Sequence, residues 1–419
     1  MPHPCGIDFG TSNSSVGVIR DGNPVLLPLQ DGAIAVPTAL FFSFEDDTTT
    51  FGRDAMVRYR SAESGRLLRS IKTLLGTSLY EEMTQVRQRR YHFSEIVSSF
   101  LAFLRTAGHA DEGDPPDEVV LGRPAFFVDN NAEADRTAQE QLEAAARAAG
   151  FRSVAFQFEP IAAALDYEQT ATGEELALVA DIGGGTSDFS LVRVGPHRKD
   201  KPDRREDVLG YNGVRVGGTD FDRQLSLATL MPFLGRTSRL KTKGLEVPSW
   251  YYADLGTWHR VNVLYERKVI TEIRGLLREA AEPAKIERLL GVLELRKGHE
   301  LLARVEGAKI ALSTDEQTRI DLADIISSLN LEVQRRQLEE AIDDGLLRIE
   351  GRVAALLADA GVSAANVGTV FITGGSSGIP AVRAAITRGL PGARIISGDA
   401  FGSVATGLAL DASRRFGPH

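Results

Sequence analysis

The chain opens on short apolar stretches cut by turns. Cys5-Gly6-Ile7 runs into Asp8, Ser14 to Ile19 resumes the strand pattern, and Asp21-Gly22-Asn23-Pro24 and Asp31-Gly32 interrupt it. Apolar runs of this length between Gly, Asn, Asp and Pro clusters predict an antiparallel meander over residues 1–45, with Val36 to Phe42 as its last strand. Residues 53–107 read as mainly helical. Val119-Val120-Leu121 predicts a strand, residues 132–149 a long amphipathic helix ending before Gly150, Phe151 to Phe158 a strand, and Ile161 to Glu168 a helix.

The opening pattern then recurs. Ala177-Leu178-Val179-Ala180 runs into Asp181, a glycine-rich turn leads to Asp188, and Phe189 to Val194 is strand again. Beyond it, residues 219–345 read as largely helical, with Glu306 to Leu312 on one helix. Thr369 to Thr373 predicts a buried strand entering Gly374-Gly375-Ser376-Ser377-Gly378, and Ala393 to Ser397 a last strand before a closing helix near 401–415. Mixed sheets with flanking helices in two lobes make this an α/β chain.

The repeated element carries the chemistry. Asp8-Phe9-Gly10-Thr11-Ser12-Asn13 and Asp181-Ile182-Gly183-Gly184-Gly185-Thr186-Ser187-Asp188 each end a strand in an acid and follow it with a tight, hydroxyl-rich turn. Glycines let backbone N–H groups approach phosphate oxygens closely, and hydroxyls add donors. Carboxylates cannot face phosphate bare, so a divalent cation is expected between them. A single acid-plus-glycine hairpin is ordinary turn chemistry. Two copies with the same order of parts predict related halves closing over one nucleotide.

Composition narrows the partners. At 419 residues the chain exceeds one compact core and suits two domains. A net charge of -9 disfavours nucleic acid and anionic membranes as partners. The basic run from Arg198 to Arg205 is broken by acids and Pro202, and reads as a solvated hairpin tip. Cys5, the single cysteine, has no partner for an internal disulfide and reads as a small buried hydrophobe. The first strand follows Met1 so closely that no signal peptide is expected. No apolar run approaches the ~20 residues of a membrane span, so cytoplasmic residence is the expectation. The seven histidines show no HExxH-like spacing, and zinc is not expected.

The order of motifs resembles the nucleotide-binding part of the DnaK-type (seventy-kilodalton) heat-shock chaperones, within the actin and sugar-kinase ATPase superfamily. The resemblance is carried by Gly6 to Ser14, Glu159-Pro160-Ile161-Ala162-Ala163-Ala164-Leu165, Asp181 to Asp188, Gly217-Gly218-Thr219-Asp220-Phe221-Asp222, Glu306 to Ser313 and Thr373 to Pro380. Glu159-Pro160 opening an Ala-rich helix is specific to the chaperone branch, and the short YegD-like branch, lacking the peptide-binding half, is the best match. The resemblance implies a two-lobed actin-like fold of duplicated RNase H-like domains. Lobe I would span residues 1–173, completed by a C-terminal helix over 399–419. Lobe II would span 174–398, with a helical subdomain at about 219–308.

It also implies ATP and ADP as ligands, with Mg²⁺ at Asp8, Asp181 and Asp188 and potassium as a further candidate cation. Asp8, Lys72, Glu159 and Asp181 would form the catalytic set: Lys72 reaching the γ-phosphate, Glu159 orienting the attacking water. Gly10, Thr11, Ser12, Asn13 and Gly183, Gly184, Gly185, Thr186 would hold the β- and γ-phosphates. Gly217, Gly218, Glu306, Lys309 and Ser313 would hold the base and ribose, with Gly374, Gly375 and Ser376 under the α- and β-phosphates. The family's two adenine-clamping arginines are replaced by Ile310 and Gly378, so weaker ATP binding is expected. No linker and no β-sandwich for peptide clients is expected in this chain.

The implied function is therefore a slow ATPase switch of chaperone type. A non-hydrolysing, ATP-dependent scaffold is the second reading and a small-molecule kinase of the superfamily the third. A protein partner or co-chaperone is expected. Glu246 to Trp258, holding both tryptophans, is either a partner surface or packed within its lobe.

Overall fold

Two sheets with the same strand plan position everything that follows. The computed structural model describes residues 3–417 apart from 62, 108–113, 125, 129–130, 169–170, 199–200, 202–203, 242–243, 259, 327–328 and 398–401. Lys199, Asp200, Pro202 and Asp203 of the basic run, and the start of the expected closing helix, thus lie outside the described residues.

The chain divides into two compact units, residues 1–214, 352–377 and 387–419 in the first, and 215–351 and 378–386 in the second. Both large sheets belong to the first. In one, Cys5–Phe9 pairs antiparallel with Asn13–Arg20 on one side and parallel with Glu118–Arg123 on the other. Ser153–Phe158 extends the parallel side and Asn23–Leu26 the antiparallel side. In the other sheet, Glu175–Ile182 pairs antiparallel with Ser187–Val194 and parallel with Val367–Thr373. Arg394–Ser397 and Val208–Val214 complete its two sides in the same order. The register repeats as well: Asp8 faces Ser15 across its hairpin, and Asp181 faces Asp188 across the second. The duplication read from two short turns thus extends to whole sheets.

Continuous apolar strands need cover on both faces. Ile7, Phe9, Val16 and Leu121 pack with Phe100, Leu101 and Leu142, from the helices Phe93–Ala107 and Ala132–Ala148. The Ala-rich helix Glu159–Glu168 touches strands of both sheets and crosses the C-terminal helix Ser403–Phe416. The crossing is close because position 407 is glycine; a Cβ there would overlap the Ala162 carbonyl. Leu408 and Ala412 are buried with Ile161 to Leu165 of the Ala-rich helix, while Ala405 and Ala409 lie against Gly17 of the first sheet.

One expectation needs correction. Residues 53–107 hold the helices Gly52–Arg60 and Phe93–Ala107, but between them lie the strands Gly65–Arg69, Met83–Val86 and Arg89–His92. Ala39–Ser43 is buried along its whole length and takes Thr49–Phe51 on one edge. Its other edge is closed by Gly65–Arg69, because buried backbone groups require partners wherever they face.

The second unit is largely helical, with one hairpin beside its helices. It contains Gly218–Thr229, Arg267–Glu279, Pro283–Glu294 and Gly298–Ala311, together with the hairpin Gln317–Asp321/Asn330–Gln334. In its aromatic segment Tyr251 and Tyr252 are buried, Trp258 packs against His299 at 5.5 Å, and Trp250 is 39% exposed. Among the described residues, no helix is long and apolar enough to cross a membrane.

Candidate nucleotide site

The two turns meet in the first unit. Ser12 of the first hairpin lies directly on the Gly184 backbone of the second, where a Cβ would overlap its hydroxyl. The first turn is braced from a neighbouring segment: Thr38 donates through Oγ1 to the Gly10 carbonyl at 2.7 Å and through its backbone N–H to Ser12 O at 2.9 Å. The second closes on itself, Gly183 N–H donating to Thr186 O at 2.9 Å. Gly374 adopts φ +89, in the left-handed region that glycine tolerates. It lies so close to the second hairpin that a Cβ would sit 2.5 Å from Asp181 Oδ1. Ser376 N–H donates to the Ile182 carbonyl at 3.2 Å, tying the Gly374-Gly375-Ser376 loop to that hairpin.

Lys72 is a buried side chain, although a lysine on a short turn reads from sequence as surface. It sits on the 3₁₀ turn Ile71–Leu74, reached through a left-handed Ser70 at φ 56, and is 9% exposed. Its Nζ donates to Glu159 Oε1 at 2.7 Å, and Glu159 opens its helix directly after the strand Ser153–Phe158. Burial alone would lower the Lys72 ammonium. Glu159, Asp8 and Asp181 around it hold it above its ordinary value instead.

The acids are crowded in return. Burial, with Glu159 adding repulsion, pushes Asp8 up to about 7. Burial, then Asp188, Asp8 and Glu159, pushes Asp181 up to about 8. Asp188 is also raised by burial, against hydroxyl donors from Tyr211 and Thr186. One lysine therefore faces four acidic side chains, and the proton affinity that their crowding raises marks a place where a bound cation would relieve the same repulsion. Among the described residues, no group of three or more His, Cys, Asp or Glu side chains is placed to hold a metal ion directly. The donor set fits Mg²⁺ held through its own waters, the usual habit of an ion that dehydrates reluctantly.

Beneath the acids a cavity of about 30 Å³, room for water-sized occupants, is lined by Glu159, Asp181, Asp188, Ser190, Tyr211 and Thr373 on its polar side. Thr38 and Tyr211 are site residues that sequence reasoning missed. Neither lies in a glycine-bearing turn, and each reaches the site only through strand pairing.

The second unit places the remaining residues. Gly217 and Gly218 open the helix Gly218–Thr229, with Asp220 accepting the Gly217 N–H at 3.1 Å. Lys309 is buried, its Nζ 2.9 Å from Asp222 Oδ1 and 3.2 Å from the Gly218 carbonyl. Glu306 is half-buried on the same helix, which ends at Ala311. Ser313 therefore lies beyond the helix rather than on its face, and donates back to the Lys309 carbonyl at 3.4 Å. Ile310 is 60% exposed, and nothing closer than 3.6 Å, at Ser313, would meet a Cβ on Gly378.

The family model described as Hsp70 protein matches residues 4–233 and 284–413. The chain belongs to the Hsp70 family. With that membership comes the actin-like ATPase fold, in which the two hairpin sheets are the duplicated halves. The chaperone protein DnaK of Thermus thermophilus is 27% identical over 403 residues, with the same figures in each of two strains. Each match covers 91% of this chain and 56% of the relative. The chain thus spans about half the length of the curated Hsp70 relatives it matches.

Proposed function

We propose that this Hsp70-family chain binds Mg²⁺-ATP and hydrolyses it slowly to ADP and phosphate, as a nucleotide-controlled switch. The observation carrying this reading is the convergence of Asp8, Asp181, Glu159 and Lys72 where the two glycine turns meet.

Hydrolysis needs the phosphates fixed, charge neutralised and a water held in line with phosphorus. Backbone N–H groups of Gly10 to Asn13 and Gly184 to Thr186 would be the donors for the β- and γ-phosphates, the Gly183 N–H being held by the Thr186 carbonyl. The Lys72 ammonium, now paired with Glu159, is the cation that would turn to the γ-phosphate as charge develops. Glu159, released from that pair, is the acceptor that would orient the attacking water. Asp8, Asp181 and Asp188 would hold the metal's water shell. Bound Mg²⁺ would neutralise phosphate charge. Glu306, Lys309, Ser313 and the Gly217-Gly218 turn take the base and ribose by the family resemblance. Lys309 would keep the helix start at Gly218 in place through Asp222.

The exposed Ile310 and bare Gly378 favour the second reading, an ATP-dependent scaffold with weak nucleotide binding. Phosphate release from purified protein with Mg²⁺-ATP separates the two. Turnover abolished by Glu159→Gln supports hydrolysis, and binding without turnover supports the scaffold.

A further inference from the structure

Asp188 receives one hydroxyl on each carboxylate oxygen. Thr186 Oγ1, from its own turn, donates to Oδ2 at 2.8 Å, and Tyr211 Oη, from the next strand, donates to Oδ1 at 2.5 Å. The second contact is a diagonal across the sheet, since Tyr211 faces Ser190 in register and the residue facing Asp188 is Gly213. Diagonal cross-strand partners lie at about 7–8 Å, within reach of a tyrosine only if the space between is empty. Gly213 leaves it empty: a Cβ there would sit 2.8 Å from Asp188 Oδ1 and 3.3 Å from the Tyr211 hydroxyl. The far side of the ring is set by Phe126, edge-on at 5.8 Å between centroids. Tyr211 also lines the cavity beneath Glu159, Asp181 and Asp188.

We propose that Tyr211 is a positioning residue for Mg²⁺-nucleotide, seated by Gly213 and acting through Asp188. Each Asp188 oxygen accepts one hydroxyl, which restrains rotation of the carboxylate and so sets where its remaining lone pairs point. A carboxylate free to rotate would meet the hydrated metal in many orientations; this one meets it in one. Partners that orient metal-binding groups in this way change metal affinity or activity by about 10–100-fold when removed. The inference rests on the nucleotide reading above.

The test uses the full chain and the variant Tyr211→Phe, which removes only the hydroxyl. Mg²⁺ is titrated calorimetrically into protein with saturating ADP, and ATP hydrolysis is followed across Mg²⁺ concentration. The expected result is a rise of about ten-fold in half-saturating Mg²⁺, with KM for ATP at saturating Mg²⁺ little changed. Adding Tyr211→Phe to Asp188→Asn should cost nothing further, because the two act as one unit. Gly213→Ala, which crowds the same contact without touching either partner's chemistry, should reproduce the Mg²⁺ shift. If wild-type protein binds Mg²⁺-ADP and Tyr211→Phe stays within about two-fold of it, the role of Tyr211 is overturned and the nucleotide reading stands. If wild-type protein binds no Mg²⁺-nucleotide, both fall.

Discussion

Replacing Lys72 by alanine tests the core of the proposed chemistry. The Lys72 ammonium stands 2.7 Å from Glu159 Oε1 and is also stabilised by Asp8 and Asp181. At that distance the attraction to Glu159 alone is about 6 kcal/mol for an effective dielectric near 20. Desolvating both groups removes part of it. Deleting one partner of a buried pair costs about 3–5 kcal/mol of stability, so the Tm should fall while the protein remains folded at 25 °C. The same cation, turned to the γ-phosphate, should lower the barrier by about 2.7 kcal/mol or more, which is two orders of magnitude in rate. Nucleotide binding should survive, because the backbone donors of both turns and the metal-facing acids are untouched. The assay is single-turnover hydrolysis of radiolabelled ATP, paired with calorimetric ATP binding and a thermal scan. A single-turnover rate equal to that of wild type would remove Lys72 from the mechanism, whatever happened to stability.

Four further outcomes are expected. Without nucleotide, Asp8 and Asp181 are raised to about 7 and about 8 from an ordinary 3.8. Between roughly pH 4 and 8 the unfolded chain therefore binds fewer protons than the folded one, and stability falls as pH rises. Thermal scans at pH 5.5 and 8.5 should show a smaller loss for Asp181→Asn; an equal loss in both proteins would refute this source. Glu159→Gln should retain ATP and slow single-turnover hydrolysis by about 10²–10⁴-fold, and an unaltered rate would exclude Glu159 as the water-orienting group. Gly407→Val should lower stability by about 1–3 kcal/mol or more through overlap with the Ala162 carbonyl, read as a denaturant midpoint; an unchanged midpoint would mean the crossing is loose. Introducing arginine at both 310 and 378 should tighten ATP binding, each stacked guanidinium contributing about 0.5–2 kcal/mol. ATP titrations of the double variant against wild type decide it, and no gain would place the base elsewhere.

What the chain alone determined is whatever depends on a few neighbouring residues. Glycine in a tight turn, an acid ending an apolar strand and an Ala-rich helix after Glu159-Pro160 are local conformational statements. They sufficed for two sheets and a glycine-bearing turn in each. Tertiary structure decided what depends on partners distant in sequence. Gly65–Arg69 became a strand because the buried Ala39–Ser43 required a second neighbour, and Ser313 left the helix that its spacing assigned it to. Lys72 became a buried cation only because Glu159, far along the chain, stands against it. Tyr211 joined the site only because strand register put a glycine opposite Asp188. Burial and charge pairing are properties of the assembled surroundings, so the acids' raised proton affinity, and the demand for a cation that follows from it, arise only once both hairpins are in place.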